Sequence, residues 1–167
     1  MKTLKSILES SILADIDDQL EAGEDTIKQL IRDFICDNYI SSSKKDISKY
    51  IMFSDKPNKD GKYEVSIDVW PYNISLREDR DRLTNDLFVW GDVFGSFICS
   101  YSKITSLEGA PKNVFNGCFD CSYCKKLKSI KGMPKRIDKG CYCQGGSLSV
   151  NSIDIKKISD VKGEIYY

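Results

Sequence analysis

The sequence predicts an α+β fold in which an N-terminal helical hairpin caps a short β-solenoid of about 22–23-residue repeats. Three observations predict it. Apolar residues recur at spacings of three and four near the start of the chain, strict alternation follows around residue 65, and the C-terminal half is self-similar. Gly95-Ser96-Phe97-Ile98-Cys99-Ser100-Tyr101 returns as Gly117-Cys118-Phe119-Asp120-Cys121-Ser122-Tyr123, and Ser106-Leu107-Glu108-Gly109-Ala110-Pro111-Lys112 returns as Ser129-Ile130-Lys131-Gly132-Met133-Pro134-Lys135.

The first element is an amphipathic helix over residues 3–22. Leu4, Ile7, Leu8, Ile12, Ile16 and Leu20 lie on one face, with Lys5, Glu9, Asp17 and Asp18 opposite. Gly23 is expected to end it. Asp25 is the expected N-cap of a second helix whose apolar positions are Ile27, Leu30, Ile31, Phe34 and Ile35. Ser41 to Lys45 is a polar connector, after which Ile47 to Phe53 reads equally as a short helix or a strand. The turn residues Lys56 to Gly61 precede Tyr63, Val65, Ile67 and Val69, whose alternation with Glu64, Ser66 and Asp68 marks a half-buried strand. The charged interval Arg77 to Arg82 is expected to be a loop or one helical turn over the end of the solenoid. The chain thus divides into a helical segment at 1–45, capping strands with an atypical first rung at 46–92, and a solenoid at 93–167 that closes on a half repeat.

Inward positions follow from aligning the repeats on each other. Phe119-x-Cys121-x-x-Cys124-x-x-Leu127 has the LxLxxCxxL form, and Phe97-x-Cys99-x-x-Ser102-x-Ile104 is the same unit shortened by one residue. Tyr142-x-Gln144-x-x-Ser147-x-x-Val150 reads as a degenerate third copy, with Gly145-Gly146 in place of Ser-Tyr. Val161-x-Gly163-x-Ile165 echoes Val93-x-Gly95-x-Phe97, and Ile74-x-Leu76 is a candidate first rung. A repeat cannot bury its apolar face alone, so the ends need caps, which the N-terminal helices and Ile165 to Tyr167 can supply.

Composition narrows the function. The chain has 167 residues, 41% of them hydrophobic, enough for one core burying roughly 70% of the unfolded surface. Lysine plus arginine and aspartate plus glutamate both number 25, so no net field draws a polyanion, and nucleic acid is not an expected partner. Histidine is absent, which excludes Ser-His-Asp and Cys-His hydrolases, HExxH metalloproteases and histidine-containing zinc sites. No Walker or Rossmann glycine pattern is present, and no cofactor is expected. The first residues meet acids by Glu9 without an unbroken apolar run, and no window suits a membrane span. Seven cysteines without a leader are expected as free thiols in a reducing compartment, and the Asn73-Ile74-Ser75 sequon as incidental.

The string Ile104 to Val114, followed by Gly117 to Ser122, resembles the repeat of a leucine-rich-repeat-like family encoded by tailed bacteriophages and by the gut Bacteroidetes they infect. The likeness covers about residues 63–167. Met1 to Gly23 also resembles the N-termini of otherwise dissimilar phage proteins. The resemblance implies a repeat scaffold without a catalytic signature, of phage or prophage origin. Its place would be the host bacterial cytoplasm or the virion.

Side chains between the inward positions face outward: Ser75, Ile98, Asp120 and Cys143 in one file, Tyr101 and Tyr123 in another. Such a mixed aromatic and polar face suits a protein partner, while a simple cross-rung tyrosine ladder is the competing account. Trp70 and Trp90 flank the first rung and fit cap packing. The run Lys125, Lys126, Lys128, Lys131, Lys135, Arg136 and Lys139 reads as a solvated face or a phosphate contact. Cys118-x-x-Cys121-x-x-Cys124 with Cys141-x-Cys143 has metal-ligand spacing, although the repeat alone explains buried thiols. Were a metal bound, Cys118, Cys141 and Cys143 are the expected ligands. The leading reading is a non-enzymatic module that binds a protein partner through its outward strand face. The alternatives are a virion or assembly component targeted by its N-terminal helix, a soluble inhibitor of a host defence enzyme, and a cysteine-ligated metal protein.

Overall fold

A computed structural model describes residues 23–41, 47–67, 73–147 and 151–167. The first predicted helix of the hairpin, Val69, Trp70 and Val150 lie outside the described residues, so the only N-terminal helix among them is α1, residues 23–38. Ile31 and Ile35 are buried and Ile27 and Phe34 pack beside them, as the spacing predicts. Two details differ. Gly23 belongs to α1 and Asp25 lies inside it, because the helix is already under way where the Glu24–Lys28 pair at i,i+4 supports its first described turn, at 2.7 Å. Leu30 is 51% exposed, since the 3.6-residue period turns it away from the face that carries Ile31 and Ile35.

Strand β1 (Tyr39–Ser41) follows α1 directly. Ile47 to Phe53 is both things the sequence offered, a 3-10 turn at Ile47–Tyr50 and strand β2 (Ile51–Phe53). Asn58 closes the next turn, its side-chain oxygen accepting the Asp60 and Lys62 N–H groups, and β3 (Tyr63–Ile67) alternates buried and half-buried as predicted. The strands β4 (Ile74–Leu76), β5 (Phe88–Phe94), β6 (Phe97–Ile98), β7 (Asn113–Phe115), β8 (Phe119–Asp120), β9 (Arg136–Ile137) and β10 (Cys141–Tyr142) then fall alternately on two sheets. Helix α2 (Ser152–Ile158) interrupts before β11 (Asp160–Val161) and β12 (Ile165–Tyr166).

One sheet runs β1-β4-β6-β8-β10-β12 and the other β2-β3-β5-β7-β9-β11. Pairing is parallel along both, except that β1 on β4 and β2 on β3 are antiparallel and close the N-terminal edges. The result is a β-solenoid of about four turns. Its register runs Ile74↔Phe97, Phe97↔Phe119, Phe119↔Cys141 and Cys141↔Ile165, so successive turns take 22 to 24 residues. Ile74 to Leu76 is thus the first rung, and Val161 to Ile165 supplies the closing half rung.

The third copy is displaced by one residue from the predicted alignment. Cys141, not Tyr142, stands beside Phe119, and Cys143, not Gln144, continues the file of Cys99 and Cys121. The sequence likeness aligned Gly117-Cys118 with Gly140-Cys141, but one residue is missing between this glycine and the strand. Because side chains alternate, that slip exchanges the inner and outer faces.

The core between the sheets changes character along the solenoid. Near the N-terminal end it is aromatic: Tyr39, Phe88, Trp90 and Phe97 meet edge to face or tilted at 5.4 to 5.8 Å. The Trp90 indole N–H and the Tyr39 hydroxyl both donate to the Leu83 carbonyl, at 2.9 and 2.5 Å. Phe97 stacks on Phe119 at 6.1 Å, and beyond it Cys121, Cys124, Cys141 and Cys143 share the core with Leu127, Ile130, Met133 and Ile137. The Arg77–Arg82 interval forms turns rather than a helix, tied at both ends by Arg77 N–H to Asn38 O and Lys103 N–H to Arg80 O.

The repeated Ser-x-x-Gly-x-Pro segments are type II turns. Ala110 N–H returns to Leu107 O at 2.9 Å and Met133 N–H to Ile130 O at 3.1 Å, with Gly109 and Gly132 at φ +88 and +92. At Gly132 a β-carbon would also come within 2.4 Å of the Leu107 carbonyl in the rung above. Helix α2 has no counterpart among the elements the sequence predicts. Asn151 caps it, accepting the Ile153 and Asp154 N–H groups, and Ile155 turns into the core.

Candidate functional site: an aromatic face beside a thiol core

The strand registers assemble one outward file from Ser75, Ile98, Asp120, Tyr142 and Tyr166. The structure therefore brings Ser75, Ile98 and Asp120 together as predicted. It removes Cys143, which is buried, and puts Tyr142 in its place. The Tyr142 and Tyr166 rings stack at 4.8 Å, nearly parallel at 2°. Tyr166 is 40% exposed, and its hydroxyl donates to the Glu164 carboxylate, which raises its pKa. The Asp120 carboxylate accepts from both the N–H and the hydroxyl of Ser122 two residues on.

Tyr101 and Tyr123 occupy the turn that follows this sheet. Both have left-handed backbones, φ 60 and 58, and the matching position on the next rung is Gly145 at φ 68. Glycine takes that conformation freely and tyrosine does not. Their rings stack at 4.8 Å and 14°, and remain 56% and 38% exposed. Tyr123 in turn covers Gly145, where a β-carbon would come within 2.3 Å of its ring.

These two tyrosines form part of a cleft of about 300 Å³ that also takes in Lys103, Lys125, Lys126 and Glu78. Three ammonium groups against one carboxylate make its rim locally basic. The sequence marked Lys125 and Lys126 only as part of a basic run and did not connect Lys103 with them. Its signal was present, since Lys103 and Lys125 are 22 residues apart, the period of these rungs. Two larger open depressions, about 450 and 560 Å³, flank the last half rung. Each is lined by stretches adjacent in sequence, so they are concavities of the terminal strands rather than convergences of separate elements.

The opposite sheet carries a smaller aromatic feature that the sequence reading missed. Phe94 and Phe115 stack at 5.0 Å, and the Arg136 guanidinium lies 5.1 Å from the Phe115 ring while its Nε bonds Asp138 at 2.7 Å. The repeated Val93-Phe94 and Val114-Phe115 pairs were its signal. The remaining lysines of the basic run are exposed, with Lys131 paired to Glu108 at 2.7 Å across one turn. Trp90 is core, as expected of cap packing.

The cysteines separate by face. Cys118 is half-buried ahead of β8, its N–H donating to the Ser96 hydroxyl at 3.1 Å, while Cys141 and Cys143 are buried. The predicted trio is thus not gathered. Instead Cys121 and Cys141 approach Cys143, with sulfur separations of 3.2 and 3.6 Å. Two thiolates on one tetrahedral zinc, at about 2.3 Å each, would stand about 3.8 Å apart. Among the described residues no set of three or more acidic or cysteine side chains is arranged to hold a metal ion. The hydrogen bonds lower the Cys143 pKa and raise those of Cys121 and Cys141, and burial raises Cys99 well above the usual thiol value. The Cys124 thiol is satisfied by the Cys99 carbonyl at 3.0 Å.

No protein-family model, curated protein or solved structure matches this chain. Fold and site define a short two-sheeted β-solenoid with stacked tyrosines on one outward face. No helix among the described residues is long and apolar enough to cross a membrane.

Proposed function

We propose that this chain is a non-enzymatic interaction module that binds a protein partner through the outward tyrosine face, with Tyr101, Tyr123 and their lysine rim at the centre of the contact. The observation that carries the reading is the exposed Tyr101–Tyr123 stack held on left-handed backbone. Strained, solvent-facing aromatics need a compensating role, and tyrosine is enriched where interfaces concentrate their energy. Lys103, Lys125 and Lys126 favour a partner segment bearing carboxylates.

The repeat is of leucine-rich-repeat-like type in this reading. Its support is the burial of Phe97, Cys99, Ser102 and Ile104 in one copy and of Phe119, Cys121, Cys124 and Leu127 in the next. The partner is then a phage or host bacterial protein, met in the bacterial cytoplasm or on the virion.

Affinity capture from lysates of phage-infected bacteria tests the reading. The wild type should retain one partner that is lost with Tyr101→Gly/Tyr123→Gly and with Lys103→Glu/Lys125→Glu/Lys126→Glu, while circular dichroism stays unchanged. A partner held equally by both variants overturns the assignment.

A further inference from the structure

Cys99, Cys121 and Cys143 form one inward file, each following a residue of the outward register, and the Cys121 thiol points at the Cys143 sulfur from 3.2 Å. Neighbouring strands run about 4.8 Å apart. That places the α-carbons of file neighbours inside the span of about 4.4–6.8 Å that a disulfide bridges. Cys141 and Cys143 are two residues apart along one strand, so their α-carbons approach the upper limit of that span. Closing Cys121 and Cys143 to the bonded separation of about 2.05 Å needs only side-chain rotation.

The geometry points to Cys121 and Cys143 as a reversible dithiol–disulfide site, a covalent staple between the rungs of β8 and β10 formed on reaction with a hydroperoxide. Cys143 is the attacking sulfur. It is the most accessible of the cluster, 7% exposed against 1% for Cys121 and 0% for Cys141, and its rung is followed only by the closing half rung at β12. The Cys121 thiol donates toward it and the Cys141 sulfur lies 3.6 Å away, contacts that favour its thiolate. The thiolate attacks one peroxide oxygen, the O–O bond breaks, and the departing alkoxide or hydroxide takes up a proton, leaving Cys143 as a sulfenic acid. The Cys121 sulfur then displaces the sulfenic hydroxyl, which leaves as water with the Cys121 proton. Overall two thiols are oxidised, and one hydroperoxide is reduced to an alcohol and water. In a reducing compartment the dithiol is the resting form. The staple joins the rung of Tyr123 to the rung of Tyr142 and Gly145, so oxidation stiffens the aromatic face from beneath.

The test treats the folded full chain with hydrogen peroxide, then denatures it, alkylates with N-ethylmaleimide and weighs the product. Two fewer cysteines should be alkylated than in untreated protein, with full recovery after dithiothreitol. The two-cysteine loss should disappear in Cys143→Ser, fall to one in Cys121→Ser, where the sulfenic acid on Cys143 has no resolving thiol, and persist in Cys118→Ser and Cys141→Ser. Peptide fragmentation of the treated wild type locates the bond without any variant. A bond between any other pair, full alkylation of all seven cysteines, or oxidation that stops at a sulfinic acid on Cys143 overturns the proposal.

Discussion

Tyr101 and Tyr123 sit where a glycine would be easier, and their own repeat supplies the glycine for comparison at Gly145. Two left-handed L-residues together cost about 2–4 kcal/mol. Their single stack returns about 0.5–1.5 kcal/mol, and the wider conformational freedom of two glycines takes back about 1–2 kcal/mol, so exchanging both tyrosines for glycine nearly cancels. Tyr101→Gly/Tyr123→Gly should therefore shift unfolding free energy by less than about 1 kcal/mol in urea titration, even as it abolishes partner capture. Gly132 shows the opposite balance. Its φ is +92, and the Leu107 carbonyl stands 2.4 Å from the place a β-carbon would take, so a side chain has no room, because the obstacle is backbone of the preceding rung. Gly132→Ala should cost about 2 kcal/mol or more, read from the urea midpoint at constant slope.

At the scale of elements, α1 is held by Ile31, Ile35 and Phe34, whose ring meets Phe88 edge to face at 5.8 Å. Arg32 lies over the Phe53 ring and Lys28 over Tyr63, so the helix leans on the edge strand β2 and its neighbour β3 as well as on the core. Ile35→Ala should destabilise the protein by about 2–4 kcal/mol, whereas Leu30→Ala, on the exposed side of the same helix, should change it by less than about 0.5 kcal/mol. Thermal and urea unfolding of the two variants side by side checks this. The helix period, the β3 alternation and the first two rungs were legible because each is a local pattern. The third rung was not. Its glycine and cysteine align closely with Gly117-Cys118, yet the strand begins one residue sooner, and hydrogen bonding to β8 rather than likeness sets its phase. That single residue moved Cys143 from the outward face to the core and hid the Tyr142–Tyr166 stack. Helix α2 escaped for a related reason: seven residues make too short a period to read from Ile155, its buried apolar position.

For the whole molecule, each rung contacts mainly its neighbours, so stability is approximately a sum of rung and interface terms. The N-terminal end has antiparallel caps, a docked helix and an aromatic core, while the C-terminal end closes on two-residue strands over small thiols. Hydrogen exchange should therefore be slowest across β5, β6, β7 and β8 and fastest at β11 and β12, with protection falling rung by rung between them. Equal protection at both ends would contradict the gradient. The sequence by itself determined the repeat and its length, the inward residues of the first rungs, the tyrosine pair and the exclusion of histidine chemistry, because these depend on composition and short-range periodicity. Only the tertiary structure decided the phase of the third rung, the lysine rim around the tyrosines and the meeting of Cys121 with Cys143. Those are contacts between residues some 22 positions apart, and their alignment is set by which backbone groups pair across the sheet.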